Sequence, residues 1–324
     1  MREVSPDIFM ITEYGALGAL MPPVNVYVLA GPDGLIFDAG YGRKKILAHL
    51  EKELQRIETV VSKRGQAFNV SRALPSHTHP DHFSGLKFLK ERFGIRSLLT
   101  QDMAANMSTK KQYYRGAVKR QYSTGRIKEL FARLIIRYYQ PLLLGTTLEE
   151  KPDEIISDHE TLSINGEPWQ VLPAPGHCDD HISLYQEDRG ILFSGDNIMR
   201  SVTTWLGPPR SDLDEYEETL KRILALPRLN LILSGHGSPV TEPAARIEEL
   251  LVHRRQRTRE VLDLVKNAGS RGISPREIIN TLYTGQESRK RFFADGWVML
   301  TLEKLEEEKK IRVIRNRVYP NCSA

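Results

Sequence analysis

The sequence predicts an α/β fold interrupted by a helical insertion and followed by a smaller helical unit that closes in a β-hairpin. Three observations predict it. Short runs rich in Val, Ile, Leu and Phe alternate with segments whose apolar residues recur at helical spacing. Several of those runs end in a glycine beside a histidine or aspartate, as in PGH, SGD and SGHG, which sets polar residues on loops at strand ends. From about residue 242 the strand-like runs give way to amphipathic helices.

Along the chain, VNVYVLA and LIFDAG flank GPDG, two β-rich runs across a Gly/Pro/Asp turn, which predicts a hairpin. In RKKILAHLEKELQRI the residues Ile46, Leu47, Leu50, Leu54 and Ile57 fall at helical spacing. RALPS is a short strand that leads into a polar loop, and FSGLKFLKERFG is a helix stopped at Gly94. Residues 102–145 differ in character: Lys110, Lys111, Arg115, Lys119, Arg120, Arg126, Lys128, Arg133 and Arg137 face only Asp102 and Glu129. Tyr113, Tyr114, Tyr122, Tyr138 and Tyr139 are interleaved, and the segment reads as a basic helical insertion, a lid over the active-site side.

Strands return in EPWQVLPAPGH, HISLYQ, GILFSGD and LNLILSGHG. The long helix PAARIEELLVHRRQRTREVLDLVKNAG follows, then SPREIINTLY with a Ser cap and Pro275 at its first turn. WVMLTLEKLEEEKK makes a third helix and IRVIRNRVYP a hairpin turning at Arg315-Asn316. The expected division is a main domain over residues 1–241 and a winged-helix-like domain over 242–324.

The chemistry concentrates in SHTHPDH, with His77, His79, Asp81 and His82 inside six residues. Burying so many titratable groups without partners would cost several kcal/mol each, on the order of the desolvation of a polar group. On a loop, however, alternate residues can aim ligands at two neighbouring points, and neutral imidazole with carboxylate suits borderline divalent ions such as zinc. PGH, SGD and SGHG supply His177, Asp196 and His236 to complete the set, and the adjacent glycines let the backbone approach closely.

The ordered pattern HxHxDH, then His, Asp and His, resembles the signature of the metallo-β-lactamase superfamily over roughly residues 20–240. The resemblance implies an αββα sandwich in which His77, His79 and His177 hold one metal, Asp81, His82 and His236 the other, and Asp196 bridges. Paired ions of this kind lie ~3.5–4 Å apart. Zinc lowers the pKa of its water to about 7, so a hydroxide between the ions exists near neutral pH. Asp81 would orient that nucleophile and take its proton, and Asp38 would steady a ligand loop from behind. His181 belongs either beside the ligands or against the substrate. Zinc is the first choice of metal, with iron or manganese as alternatives. Histidine at position 79 favours hydrolysis over the di-iron redox chemistry of relatives with glutamate there, although persulfide-oxidising relatives keep the histidines and use a single iron. Trp205, Tyr113 and Tyr114 are candidates for the substrate wall, Cys178 reads as a small buried thiol, and His49, His159 and His253 as surface residues.

The tail is similar to that of β-lactamase-like proteins with a C-terminal winged helix, close in pattern to hydroxyacylglutathione hydrolases. The acids of EKLEEEKK would repel phosphate, which favours a structural or dimerising tail over DNA reading. The expected function is hydrolysis of a small ester or thioester with an anionic carrier. The alternatives are single-strand RNA cleavage, lactone hydrolysis, or a binding module without activity. A net charge of +5 suits an anionic partner. RLIIRYYQPLLLG offers an apolar side for a homodimer. No run approaches the ~20 apolar residues of a membrane span. MREVSPDIF lacks a signal core, and two cysteines make no disulfide framework, so the expected location is the cytoplasm.

Overall fold

The computed structural model describes residues 1–15, 22–116, 140–208, 210–285 and 288–321. Most of the basic insertion, the RLIIRYY segment, Tyr122, Tyr138, Tyr139 and Cys322 lie outside them.

The first sheet has seven strands in sequence order: β1 (Arg2–Ser5), β2 (Ile8–Glu13), β3 (Val24–Leu29), β4 (Gly34–Phe37), β5 (Val70–Leu74), β6 (Arg96–Thr100) and β7 (Glu154–Ile156). The pairing is antiparallel up to β4 and parallel from β4 onward. The VNVYVLA/LIFDAG hairpin forms as the turn chemistry requires, with Tyr27 opposite Phe37. Every residue of β3 is buried, because both faces of the strand are covered. The expected helix is α1 (Lys44–Lys63), which buries Ile46, Leu50, Leu54 and Ile57 at helical spacing.

The second sheet runs β12-β11-β10-β9-β8, from β8 (Thr161–Ile164), β9 (Glu167–Pro173), β10 (Ile182–Gln186), β11 (Ile191–Gly195) and β12 (Leu231–Ser234). Phe193 of this sheet is wedged between Tyr27, Phe37 and Trp169, with ring centroids 5.0, 5.1 and 5.5 Å away. The sheets therefore share one core, and α1 adds its apolar face to it. The short helices α2 (Pro80–Phe83) and α3 (Leu86–Phe93) follow β5, and α3 ends at Gly94 in the left-handed conformation expected of a C-terminal cap. Two further helices, α4 (Gln101–Met107) and α5 (Lys110–Gly116), open the 102–145 segment, and α6 (Gln140–Leu144) closes it. Met103 and Met107 of α4 are fully buried in the main core.

A second core lies beyond the other sheet. There α7 (Leu213–Leu224), α8 (Pro243–Ala268), α9 (Pro275–Leu282) and α10 (Ser288–Glu307) bury Tyr216, Leu250, Ile278 and Val298 together with Leu192 and Ile232 of the sheet. Ser274 caps α9 through a reciprocal bond with Glu277, as the Ser-Pro start predicts. A two-stranded hairpin, β13 (Ile311–Ile314) and β14 (Arg317–Pro320), ends the described chain and turns through Arg315 and Asn316, both with positive φ.

Candidate metal centre

The parallel strands β4 and β5 of one sheet and β11 and β12 of the other end at the same rim of the sandwich, where polar loops gather. Asp38 follows β4, the SHTHPDH loop follows β5, and PGH, SGD and SGHG follow β9, β11 and β12.

Two groups of ligand atoms result. His77, His79 and His177 converge, with His79 Nδ1 2.8 Å from His77 Nε2 and 3.0 Å from His177 Nε2. Beside them, His236 Nε2 stands 3.5 Å from Asp81 Oδ2, and His82 Nε2 3.8 Å from the same oxygen. Asp196 lies between the groups: Oδ1 is 3.3 Å from His82 and 3.4 Å from His236, while Oδ2 is 3.7 Å from His177.

Outward-facing atoms hold the rings in place. Asp38 accepts from His82 Nδ1 at 2.9 Å and from the Ser76 amide at 2.6 Å, with its own backbone at φ 63°. The Trp205 carbonyl accepts from His177 Nδ1 at 2.7 Å, and the Pro23 carbonyl from His236 Nδ1 at 2.6 Å. His77 Nδ1 sits 3.0 Å from Ser76 Oγ. Each of these bonds leaves the opposite nitrogen, Nε2, turned inward. The glycine beside Asp196 is needed sterically: a Cβ on Gly195 would lie 2.5 Å from His181 Nε2.

The inward atoms suit a divalent cation. His82 Nε2 and Asp196 Oδ1 are buried and make no hydrogen bond, a cost that a shared cation would remove. Burial drives the His77 and His79 imidazoles well below their usual range, which keeps their lone pairs free. Burial acts the same way on His82 and His236, but nearby aspartates outweigh it, raising His82 well above the usual value and His236 to about 9. At Asp196 burial is outweighed by His236 and His82, and the carboxyl stays well below the carboxylate range.

His181 is buried and accepts the Asp196 amide at 3.1 Å, so it supports the backbone of Asp196. Burial lowers its pKa to about 3. Trp205 is 44% exposed, and its ring centroid is 6.5 Å from that of His79, at the mouth of the site. Tyr113 stacks edge-on against Phe83, 5.7 Å between centroids, while Tyr114 lies in α5 with its side chain outside the described set. Cys178 is fully buried, its thiol raised by that burial. His49 and His159 are exposed, and His253 is half-buried.

Sequence reasoning missed the supports. Asn25, buried in β3, donates to the Ser234 and Gly237 carbonyls on either side of the His236 turn, at 3.0 and 2.8 Å. A polar residue inside VNVYVLA was its signal. Thr78, between two ligands, donates its hydroxyl to buried Asp180. Arg210 binds that carboxylate and Asp179, each at 2.6 Å, and reaches Thr78 Oγ1 at 2.8 Å. Cys178, Asp179 and Asp180 would themselves make a cation cluster, but the Arg210 guanidinium already fills that role.

The model of the metallo-beta-lactamase superfamily matches residues 21–236. The chain belongs to that superfamily. This member carries clusters of histidine and aspartate fit to bind metal. The "Beta-lactamase-like protein 2 homolog" of Drosophila melanogaster is 29% identical over 50% of this chain and 53% of its own, so the chain spans about half of that relative. The "Probable metallo-hydrolase YqjP" of Bacillus subtilis is 23% identical over 89% of each chain. The "Atrochrysone carboxyl ACP thioesterase" of Aspergillus fumigatus is 23% identical over 75% of this chain and 60% of its own. Among solved structures, a metallo-beta-lactamase family protein from Thermus thermophilus superposes with TM-score 0.74, at 23% identity over 98% of this chain and 100% of that one. That likeness extends the shared fold through the C-terminal helices and hairpin. Among the described residues, no helix of this superfamily member is long and apolar enough to cross a membrane.

Proposed function

We propose that this protein hydrolyses a small ester or thioester with an anionic carrier, using two divalent ions, zinc first. The observation that carries the reading is the pair of ligand groups with Asp196 between them, one carboxylate oxygen turned toward each. His77, His79 and His177 would hold one ion, Asp81, His82 and His236 the second, and Asp196 both. Bound there, the ions would supply a water acidic enough to attack near neutral pH and would polarise the attacked carbonyl.

The chain's own residues do the rest. Asp81 turns Oδ2 toward the histidines, which leaves Oδ1 to orient the attacking water and accept its proton. Its side chain is 18% exposed, against 11% for Asp196, so water reaches it more readily. Neutral His77, His79 and His177 offer lone pairs without competing protons. The Trp205 ring offers the acyl group an apolar wall. The thioesterase named among the relatives supports thioester chemistry, as does the basic composition of the insertion. We take the tail as winged-helix-like and structural, and the cytoplasm as its location.

The test compares turnover of glutathione and coenzyme A thioesters by zinc-loaded wild type and Asp81→Ala, with a lactone and a single-stranded RNA alongside. Thioester turnover by the wild type, lost in Asp81→Ala at unchanged zinc content, is the expected result. Cleavage of RNA or lactone alone would replace the substrate class. Wild-type turnover in a zinc-loaded Asp81→Ala would overturn the role given to Asp81.

A further inference from the structure

The loop after β11 connects the metal centre to the C-terminal helices. Its Trp205 carbonyl accepts the His177 Nδ1 proton, and Thr204 Oγ1 lies 3.0 Å from the same nitrogen. The next residue, Leu206, is 1% exposed and sits in the second core, among side chains of α7, α8 and α10. Two contacts hold this loop from behind. Arg246 of α8 donates to the Met199 carbonyl through Nε and to the Val202 carbonyl through Nη2, both at 2.7 Å. Its side chain is only 10% exposed, although the bond to Val202 lies at the surface.

The second contact is tighter. Gly296 lies on α10 where a Cβ would come within 2.5 Å of the Leu206 carbonyl oxygen and 2.9 Å of Gly207 Cα. A Cβ on Gly207 would in turn fall 2.4 Å from Trp205 Cζ2, so the indole ring lies directly against the loop backbone. Helix, loop backbone and indole ring are thus stacked without a side chain between them. Glycine within a helix is less favourable than alanine, so its use here has a local reason in the close approach.

We infer that the C-terminal helical unit sets the metal centre: Gly296 and Arg246 are positioning residues that fix His177, and with it the Trp205 ring at the site's mouth, through the loop of residues 199–207. The inference rests on the reading of His177 as a ligand. An added methyl 2.5 Å from the Leu206 carbonyl oxygen forces helix and loop apart, and a shift of the loop would lengthen the Trp205 bond to His177. Loss of such an outer partner lowers metal affinity about 10–100-fold. The effect falls on one ligand group: His82 and His236 take their outer bonds from Asp38 and Pro23, which this loop does not carry.

Gly296→Ala, Arg246→Ala and wild type are compared by two readouts. The first is the His177 Nδ1–H resonance in the metal-free protein, assigned with His177→Ala. The second is the loss of each zinc to a competing chelator. Val318→Ala, a cavity in the buried hairpin, is the control for lowered stability alone. Expected are loss or broadening of the His177 signal with those of His82 and His236 retained, and one zinc of two released at chelator concentrations at least tenfold lower. Wild-type signals and both zincs held normally in Gly296→Ala and Arg246→Ala would overturn the proposal, and so would the same selective change in Val318→Ala. Wild type that binds no zinc would overturn the functional reading instead, and the resonance would still decide whether these residues position His177.

Discussion

Asp38→Asn separates the role of a charge from that of a shape. The native carboxylate accepts two bonds, from the Ser76 amide at Oδ1 and from His82 Nδ1 at Oδ2, and both Asp38 and His82 side chains have no exposure. Asparagine keeps the volume and tolerates the left-handed φ of 63°, so the backbone is not strained by the change. Its amide, however, has only one acceptor. With the oxygen toward Ser76, the NH2 meets His82 Nδ1, which must then surrender its proton to Nε2, the atom turned toward Asp196. A protonated Nε2 cannot ligate. With the amide reversed, two donors face each other in a buried site, at a cost of about 1–3 kcal/mol. The first arrangement is therefore expected, and zinc affinity should fall 10–100-fold, about 1.4–2.8 kcal/mol. A zinc-buffered titration reads the affinity, and thermal melts of the metal-free protein read the fold. Wild-type affinity in Asp38→Asn would refute the tautomer argument. A fall in affinity matched by an equal fall in metal-free stability would refute the claim that the backbone is spared.

The remaining predictions concern the supports and a buried acid. Asp180→Ala leaves Arg210 without its buried partner and Thr78 without its acceptor; unfolding in urea should show a loss of about 3 kcal/mol, the scale of a broken buried pair. A loss under ~1 kcal/mol would place Asp180 among ordinary surface pairs. Glu13 is buried with one oxygen lacking any hydrogen-bond partner, and burial holds its carboxyl well above the usual range. Because the folded value is raised, stability is full below the unfolded value of about 4.3 and is lost as pH rises from there toward the folded one. Glu13→Gln does not titrate, so its melting temperature should gain on the wild type between pH 4 and 8. A pH-independent difference would contradict the burial argument.

The ligand cluster was legible because its chemistry is local: SHTHPDH cannot be a packed strand, and PGH, SGD and SGHG mark strand ends by their glycines. The hairpin around GPDG and the Ser274-Pro275 helix start were legible for the same reason, since turn and cap preferences act over a few residues. The supports were not. Asn25 meets Ser234 across 209 positions, and Arg210 meets Thr78 across 132, so no window of sequence contains both partners. Strands β6, β7 and β8 also went unread. β7 is three residues long with one of them buried, and β8 alternates exposed and buried residues over only four. The acids of CDD, between two buried histidines, were the readable hint to Asp180. Gly296 carries no hint at all, because its reason lies on a loop some ninety positions earlier.

The SHTHPDH loop descends from the first sheet, whereas His177, Asp196 and His236 descend from the second. A cation shared among them is then a rivet between the two halves of the sandwich, seated where the shared core ends and water begins. Opening the sheets would first have to empty the rivet hole. Resistance to unfolding should therefore grow with the logarithm of free metal, about 1.4 kcal/mol per tenfold above the dissociation constant for each ion bound. A metal-binding sandwich built this way would carry its own occupancy gauge: the temperature at which it opens would report how much metal its surroundings supply.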